Sequence, residues 1–228
     1  MSSIFAIREI SMIFIHKRKE PRELTEFKSH PFSNYNNIPS KVKSAILEKL
    51  IEEQHELCAY CTCHIPEEDA KRRGQHPVTI EHLYPQSPCG EDVRDCWDLR
   101  YSNMLAVCSG NRGCGAHKNF TCDARKGNSI IRLSPFDYHC ISHIHYRNNG
   151  DIYADEEELN RELNEILNLN CKARSLAANR KKVLDDIKKT LPQDSRFKKS
   201  CRRMLEILQE NPLPFCGMAV EWLKRKSF

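Results

Sequence analysis

The chain has no apolar run long enough to cross a bilayer, which takes about 20 residues. Its best candidate, IFAIREISMIFI at the start, is broken by Arg8 and Glu9 and closes on no small-residue cleavage site. Neither export nor membrane anchoring is expected. One-sided charge is lacking too: 36 Lys and Arg stand against 31 Asp and Glu, leaving +5. That balance is compatible with a polyanionic partner without requiring one. Internal repeats and low-complexity linkers are also missing, so 228 residues imply one compact unit or two closely packed ones. Met12 precedes IFIHK, which reads as a short first strand, and residues 1–11 read as an extension or a mis-assigned start.

Cysteine is abundant. Of the twelve, eight fall between Cys58 and Cys122, and the first two form a CxxC. That spacing points to zinc in a reducing compartment rather than to a secreted disulfide scaffold.

Three segments follow. Residues 1–57 hold a polar, charged stretch with Pro21 before RELTEFK, an irregular FSNYNNIP arm, and a helix from Ser40. Ser40 is its expected N-cap, with Val42, Ile46, Leu47, Leu50 and Ile51 on one face. Residues 58–135 are rich in Gly, Pro, Asn and Cys, as in a small metal-stapled module, with short strands expected at Thr79–Ile80 and Met104–Val107. Residues 136–228 are helical from about Asp155. Helices are expected near residues 171–189, 194–209 and 214–224, broken at LPQD and NPLP. The fold class is therefore α+β and mostly helical, with the module embedded between N-terminal and C-terminal helices.

A CxxC turn presents both sulfurs on one side, so Cys58 and Cys61 are the expected first zinc pair. Cys108, closing the MLAV strand, is the third ligand, and Cys122, opening CDARKGN, is taken as the fourth with Cys114 as its competitor. Cys63, His64, Cys89 and Cys96 offer donors for a second ion, but nothing fixes their geometry and they are expected to be structural residues. The same holds for Cys140, Cys171, Cys201 and Cys216. Glu81 and His82 end a β-prone TIEH run before a Pro-containing loop. Phosphodiester hydrolysis needs a base for the attacking water and a divalent ion on the phosphate, and this pair supplies both if the strand end lets them approach one centre.

CAYC, IEHLYPQS, SNMLAVCSGNRG and CDARKGN together resemble the HNH nuclease subunit of Septu-type bacterial anti-phage systems, a family also found in retron-associated loci. EPRELTEFK, LNLNC and NRKKV extend the resemblance over most of the chain after Met12. It implies a zinc-stapled ββα-metal fold and cleavage of nucleic acid in the bacterial cytoplasm. It also implies an ATPase partner subunit that controls cutting. Its residue roles place the general base on His82 and a catalytic Mg2+ or Mn2+ on Glu81. Asn103 would tie the loop between the strands and hold the base. Many relatives carry His or Asn after the last zinc cysteine, whereas this chain has Asp123; Asp123 is preferred as the third site residue, with His117 as the alternative. Arg125 and Lys126 would meet phosphates beside the scissile bond.

Basic runs in KARSLAANRKKV and RFKKSCRRM suggest a strip for nucleic acid backbone or for an acidic partner surface. Two other readings compete: a non-catalytic zinc module that binds nucleic acid or protein, and a zinc hydrolase of another class. The latter needs an open zinc position, which four thiolates close.

Overall fold

The computed structural model describes residues 14–66, 77–85, 97–113 and 115–227. The fold is α+β, about half helical, with two small antiparallel sheets. Residues 14–18 form no strand: where a short first strand was expected, the described part of IFIHK is an irregular segment held by the bond from Ile15 N to Pro135 O (2.9 Å).

Helix α1 (Arg22–Lys28) follows Pro21, whose fixed φ suits the residue before a helix. Glu23 in its first turn and Lys28 in its last complement the helix dipole, and Leu24 is its buried anchor. Helix α2 (Ser40–Glu53) buries Val42, Ile46 and Leu50. Pro39, not Ser40, is the residue that precedes its first turn, so no side-chain hydroxyl caps it. Glu53 lies on the same inward stripe, and its charge is met by Lys17 at 3.1 Å.

Gln54, just past α2, joins this helix to the first sheet. Strands β1 (Thr79–His82) and β2 (Met104–Val107) pair with Glu81 opposite Leu105 and His82 opposite Met104. On the other edge of β2, the Gln54 amide accepts from Ala106 N (2.8 Å) and donates to Ala106 O (2.7 Å), so a side chain stands in for a third strand. All four β2 residues are buried.

After β2 the chain turns through Gly110, whose φ of +58° and 2.2 Å approach of a would-be Cβ to Thr121 O admit only glycine. It then enters the one-turn helix α3 (Cys122–Lys126).

The second sheet, β3 (Ile144–Tyr146) with β4 (Ile152–Ala154), is a hairpin between two short helices, α4 (Tyr138–Ser142) and α5 (Glu157–Arg161). Helix α5 runs into a π-helical turn, Glu162–Ile166, where the expected single helix dilates. The buried Glu162 carboxylate accepts from Arg132 N and Leu133 N, both at 2.8 Å, and so binds the end of the cysteine-rich segment.

Three longer helices complete the chain: α6 (Leu176–Thr190), α7 (Phe197–Glu210) and α8 (Gly217–Ser227). The helix expected from residue 171 starts only at Leu176, because Ser175 takes a left-handed conformation after a 3-10 turn. One continuous apolar core runs from Ile15 through β2 to Leu223. No helix among the described residues is long and apolar enough to cross a membrane.

Candidate active site and metal centre

Five buried thiols converge where the α2–β1 connection, β2 and α3 meet: Cys58, Cys61, Cys63, Cys108 and Cys122. The sulfurs of Cys58, Cys61, Cys63 and Cys108 all lie within 4.8 Å of one another. Cys122 Sγ is 3.9 Å from Cys58 Sγ and 3.8 Å from Cys108 Sγ, and Cys61 Sγ is 3.7 Å from Cys108 Sγ. A zinc ion with Zn–S bonds of about 2.3 Å needs tetrahedron edges of about 3.8 Å, so this donor set fits the ion. The cluster could therefore hold a structural metal such as zinc.

The local backbone explains the convergence. Cys58 N donates to Cys63 O (2.8 Å), folding the CAYCTC segment on itself, and Cys108 N donates to Cys58 Sγ (3.4 Å). Thr62 and Cys122 both take positive φ, 59° and 54°, a strained setting for residues with a Cβ that turns the chain sharply beside the cluster. The cluster divides its charge unevenly: the Cys63, Cys108 and Cys122 thiols are held high, and Cys58 and Cys61 are held low. Burial opposes ionisation of Cys58, yet hydrogen bonds from Cys108 and Cys122 outweigh it and bring the thiol down to about 5. Hydrogen bonding from Cys108 likewise holds Cys61 low. The Arg174 guanidinium reaches in at 3.6 Å from Cys108 Sγ and 3.9 Å from Cys63 Sγ, a cation suited to thiolates. Cys114 lies outside the described residues, as do Cys89 and Cys96.

On the outer side of β1 a second constellation forms. His82 is 4% exposed and its Nε2 bonds the Asp98 carbonyl at 2.8 Å. A carbonyl only accepts, so Nε2 carries the proton and Nδ1 carries the lone pair. Burial lowers the His82 pKa, against the raising effect of the Asp98 carbonyl, which keeps the ring neutral near pH 7. Tyr35 stands edge-on to it, ring centres 4.6 Å apart, and Tyr35 N is held by the Asp98 carboxylate at 2.9 Å.

Glu81, 5% exposed, accepts from Tyr60 Oη (3.1 Å) and pairs with Lys126 Nζ (2.7 Å). Burial pushes its carboxyl up to about 8, the adjacent Asp123 carboxylate adding to the rise and Lys126 opposing it. Asp123, at the first turn of α3, opens toward solvent and is bridged by Arg112 Nη2 at 2.9 Å.

The structure thus joins Glu81, Lys126 and Asp123 in one charged group, and ties it to His82 through the bond from Lys126 Nζ to the His82 backbone carbonyl. Asn103 is not in contact range of reacting groups by any bond it makes; its amide brackets the loop, donating to Tyr84 O (2.9 Å) and Trp97 O (3.0 Å) and accepting from Tyr84 N (2.8 Å). His117 is exposed and its Nδ1 is engaged by Arg125 Nη1 at 2.9 Å. Arg125 also donates to Glu165 O (3.2 Å). Lys126, expected at a phosphate, is instead 2% exposed and points inward, donating to His82 O (3.1 Å) as well as pairing with Glu81. A single helical turn has no periodicity from which that direction could be read.

Sequence reasoning set Cys63 aside as a structural residue and missed Tyr60, Asp98, Tyr35 and Arg174. Only Cys63 had a local signal, its place two residues after the CxxC.

No family model matches the chain. It is 30% identical over 124 residues to the protein named "Retron Ec83 putative HNH endonuclease" of Escherichia coli, a match covering 49% of this chain and 45% of that protein. It is 25% identical over 140 residues to "Retron Vc95 putative HNH endonuclease" of Vibrio cholerae serotype O1 biovar El Tor, covering 61% and 58%. The chain spans about half the length of the curated relatives it matches. Both likenesses support a nuclease.

Proposed function

We propose that this chain is a metal-dependent endonuclease of the HNH kind, hydrolysing phosphodiester bonds in nucleic acid as the effector of a Septu-type anti-phage complex. The observation that carries this reading is the orientation of His82. A buried imidazole with its Nε2 proton on a backbone carbonyl is the tautomer whose Nδ1 is basic, and it follows Glu81 at the end of β1, with Asp123 of α3 adjacent to that carboxyl.

In this reading zinc is bound by Cys58, Cys61, Cys108 and Cys122 and fastens β2 and α3 to the CxxC turn. Cys122 Sγ lies 3.9 Å from Cys58 Sγ and 3.8 Å from Cys108 Sγ, which supports it as fourth ligand, and Cys63, within 4.8 Å of Cys58, Cys61 and Cys108, is its competitor. Because four thiolates close the shell, this ion is structural. Glu81 and Asp123 are the ligands for a hard divalent ion, Mg2+ or Mn2+, which when bound would neutralise the phosphate and stabilise the departing oxygen. His82 Nδ1 takes a proton from water as its oxygen attacks phosphorus; the P–O bond opposite breaks and the leaving oxygen is then protonated. Asn103 holds the loop that carries Trp97 and Asp98, so it positions His82 through the Asp98 carbonyl. Asp123 is assigned ahead of His117 because it lies beside Glu81, while His117 serves Arg125. Arg112 and Arg125 are the cations placed to meet phosphate; Lys126 acts inside the site.

An ATPase subunit is proposed to dock on the helical portion, where Lys182, Lys198 and Lys199 are exposed and Lys181 pairs with Asp185 (2.7 Å). A nuclease that reads mainly backbone carries little sequence information and needs such restraint.

The test is incubation of purified protein, alone and with the product of an adjacent ATPase gene, with DNA and RNA and each divalent ion in turn. His82→Ala should abolish strand cleavage while zinc content and folding persist. Wild-type cleavage by His82→Ala would refute the mechanism. One observation favours a non-catalytic zinc module instead: Lys126 already neutralises Glu81, the carboxylate a catalytic ion would use. That module would bind nucleic acid and cut nothing under every ion tried.

A further inference from the structure

A second group of metal-ligand side chains lies on elements that share no residue with the thiol cluster or with the Glu81 and His82 site. His139 and His143 stand four residues apart at α4, so both imidazoles project from one side of a single turn, ring centres 4.7 Å apart and inclined by 51°. The β3–β4 hairpin returns the chain to α5, whose N-cap residue is Glu156. One ligand atom from each of His139, His143 and Glu156 lies within 4.8 Å of the other two.

The scaffold holds this arrangement. Asp137 caps α4 by accepting from His139 N (2.9 Å) and Cys140 N (3.4 Å), and Cys140 and Ile141 bury the opposite side of the turn. Asp155 N donates to His143 O at 3.2 Å, fixing the residue before Glu156 to the backbone of one histidine. The side chains themselves are accessible: His139 is exposed, and His143 and Glu156 are half-buried.

We propose that His139, His143 and Glu156 form a binding site for a divalent transition-metal ion of the zinc class, separate from the structural site. Two imidazole nitrogens and one carboxylate oxygen suit zinc, nickel or cobalt, whereas magnesium and calcium prefer all-oxygen shells. Zn–N and Zn–O bonds of about 2.0–2.1 Å require ligand atoms about 3.3 Å apart in a tetrahedron, reached by small rotations of partly exposed rings. Three protein ligands leave a fourth position for water or for a side chain from a partner. Arg132 Nη2 lies 3.3 Å from Glu156 Oε2, a long contact from a 60% exposed side chain, and it supplies the positive charge that the ion takes over. The sequence spacing alone hid the site, because Glu156 lies a whole hairpin away from His143.

The experiment is zinc titration of the full-length Glu81→Gln, Asp123→Asn variant, which removes the other proposed divalent site, with the thiol site already filled, read by equilibrium dialysis with elemental analysis; this background serves as the wild type for the His139, His143 and Glu156 site. Wild type should take up a second equivalent of zinc, and His139→Ala and Glu156→Gln should each weaken that equivalent by about tenfold or more, leaving the first untouched. His139 is exposed, so its loss should leave the circular dichroism and thermal unfolding of the zinc-loaded protein as they were. Cobalt added to the zinc-loaded chain should give visible ligand-field bands without a thiolate charge-transfer band. Saturation at one zinc, or a second zinc that binds equally well in the His139→Ala, Glu156→Gln double variant, would overturn the proposal.

Discussion

Replacing Lys126 by Met isolates the electrostatics of the site. Methionine keeps most of the aliphatic stem and removes the ammonium, which sits 2.7 Å from Glu81 Oε1 and 3.1 Å from His82 O. Both side chains of the ion pair are almost fully buried, at 1% and 6% exposure, so solvent does little to screen them. Removing one member of a buried pair costs about 3–5 kcal/mol. Here the cost should fall below that range, at about 1–3 kcal/mol, because a carboxyl whose pKa is about 8 already carries its proton at pH 7, so what is lost is a buried hydrogen bond and no charge is stranded. The measurement is urea unfolding at pH 7 of wild type, Lys126→Met, Glu81→Gln and the double variant. No chelator is used, so that structural zinc stays in place. The double variant should be more stable than the sum of single losses predicts, with a coupling of at least about 1.5 kcal/mol. Added Mn2+ should restore part of the Lys126→Met loss, since a divalent ion on Glu81 and Asp123 replaces the missing cation. A loss under about 1 kcal/mol, or additivity within about 0.5 kcal/mol, would show that Lys126 is peripheral to Glu81.

The tightly held equivalent of zinc should be lost in Cys58→Ser and Cys122→Ser but persist in Cys63→Ser and Cys114→Ser; the reverse for Cys63 and Cys122 moves the fourth ligand to Cys63. Metal removal should unfold the segment around β1 and β2, visible as lost amide protection. Glu81 has a folded-state pKa raised from 4.5 to about 8, so the stability its proton contributes is complete below about pH 4.5 and is lost as pH rises toward 8. The thermal stabilisation given by Mg2+ or Mn2+ should therefore grow between pH 6 and 8.5, as the ion competes with fewer protons, and stay flat in Glu81→Gln. Gln54→Leu should cost about 2–3 kcal/mol in urea unfolding, because it strips partners from the buried Ala106 N–H and Leu57 carbonyl; a change below about 0.5 kcal/mol would mean water replaces the amide.

What was legible in the sequence is what depends on near neighbours. The CxxC turn, the β2 strand and the apolar stripe of α2 follow from short-range spacing, and the α+β class follows from them. Glu81 and His82 were singled out as strand-end residues, and β1 does end at His82. The direction of Lys126 was not legible, since α3 has one turn and its inward face is set by Glu81, which lies 45 residues earlier. Arg174 reaches Cys108 from 66 residues away, and no local pattern announces it. The β3–β4 hairpin escaped because its strands have three residues each, too few for an alternation to stand out. Ser40 has the residue type of a cap, but the proline before it already sets the entry to α2.

The backbone N–H of Cys122 donates to Leu167 O (2.9 Å), and the Asn168 side chain bonds Lys118 O (3.0 Å) and Phe120 O (2.9 Å). The strand-strand-helix unit is thus sewn at its far edge to the turn that follows the π-helical segment. A fragment ending at residue 135 would keep every thiol and both carboxylates yet lose the three bonds that hold the approach to α3. Asp123 would then depend on the Lys126 and Cys122 contacts of α3 and the Thr121 N to Gly110 O bond, which makes the carboxy-terminal helices part of what holds α3 in place.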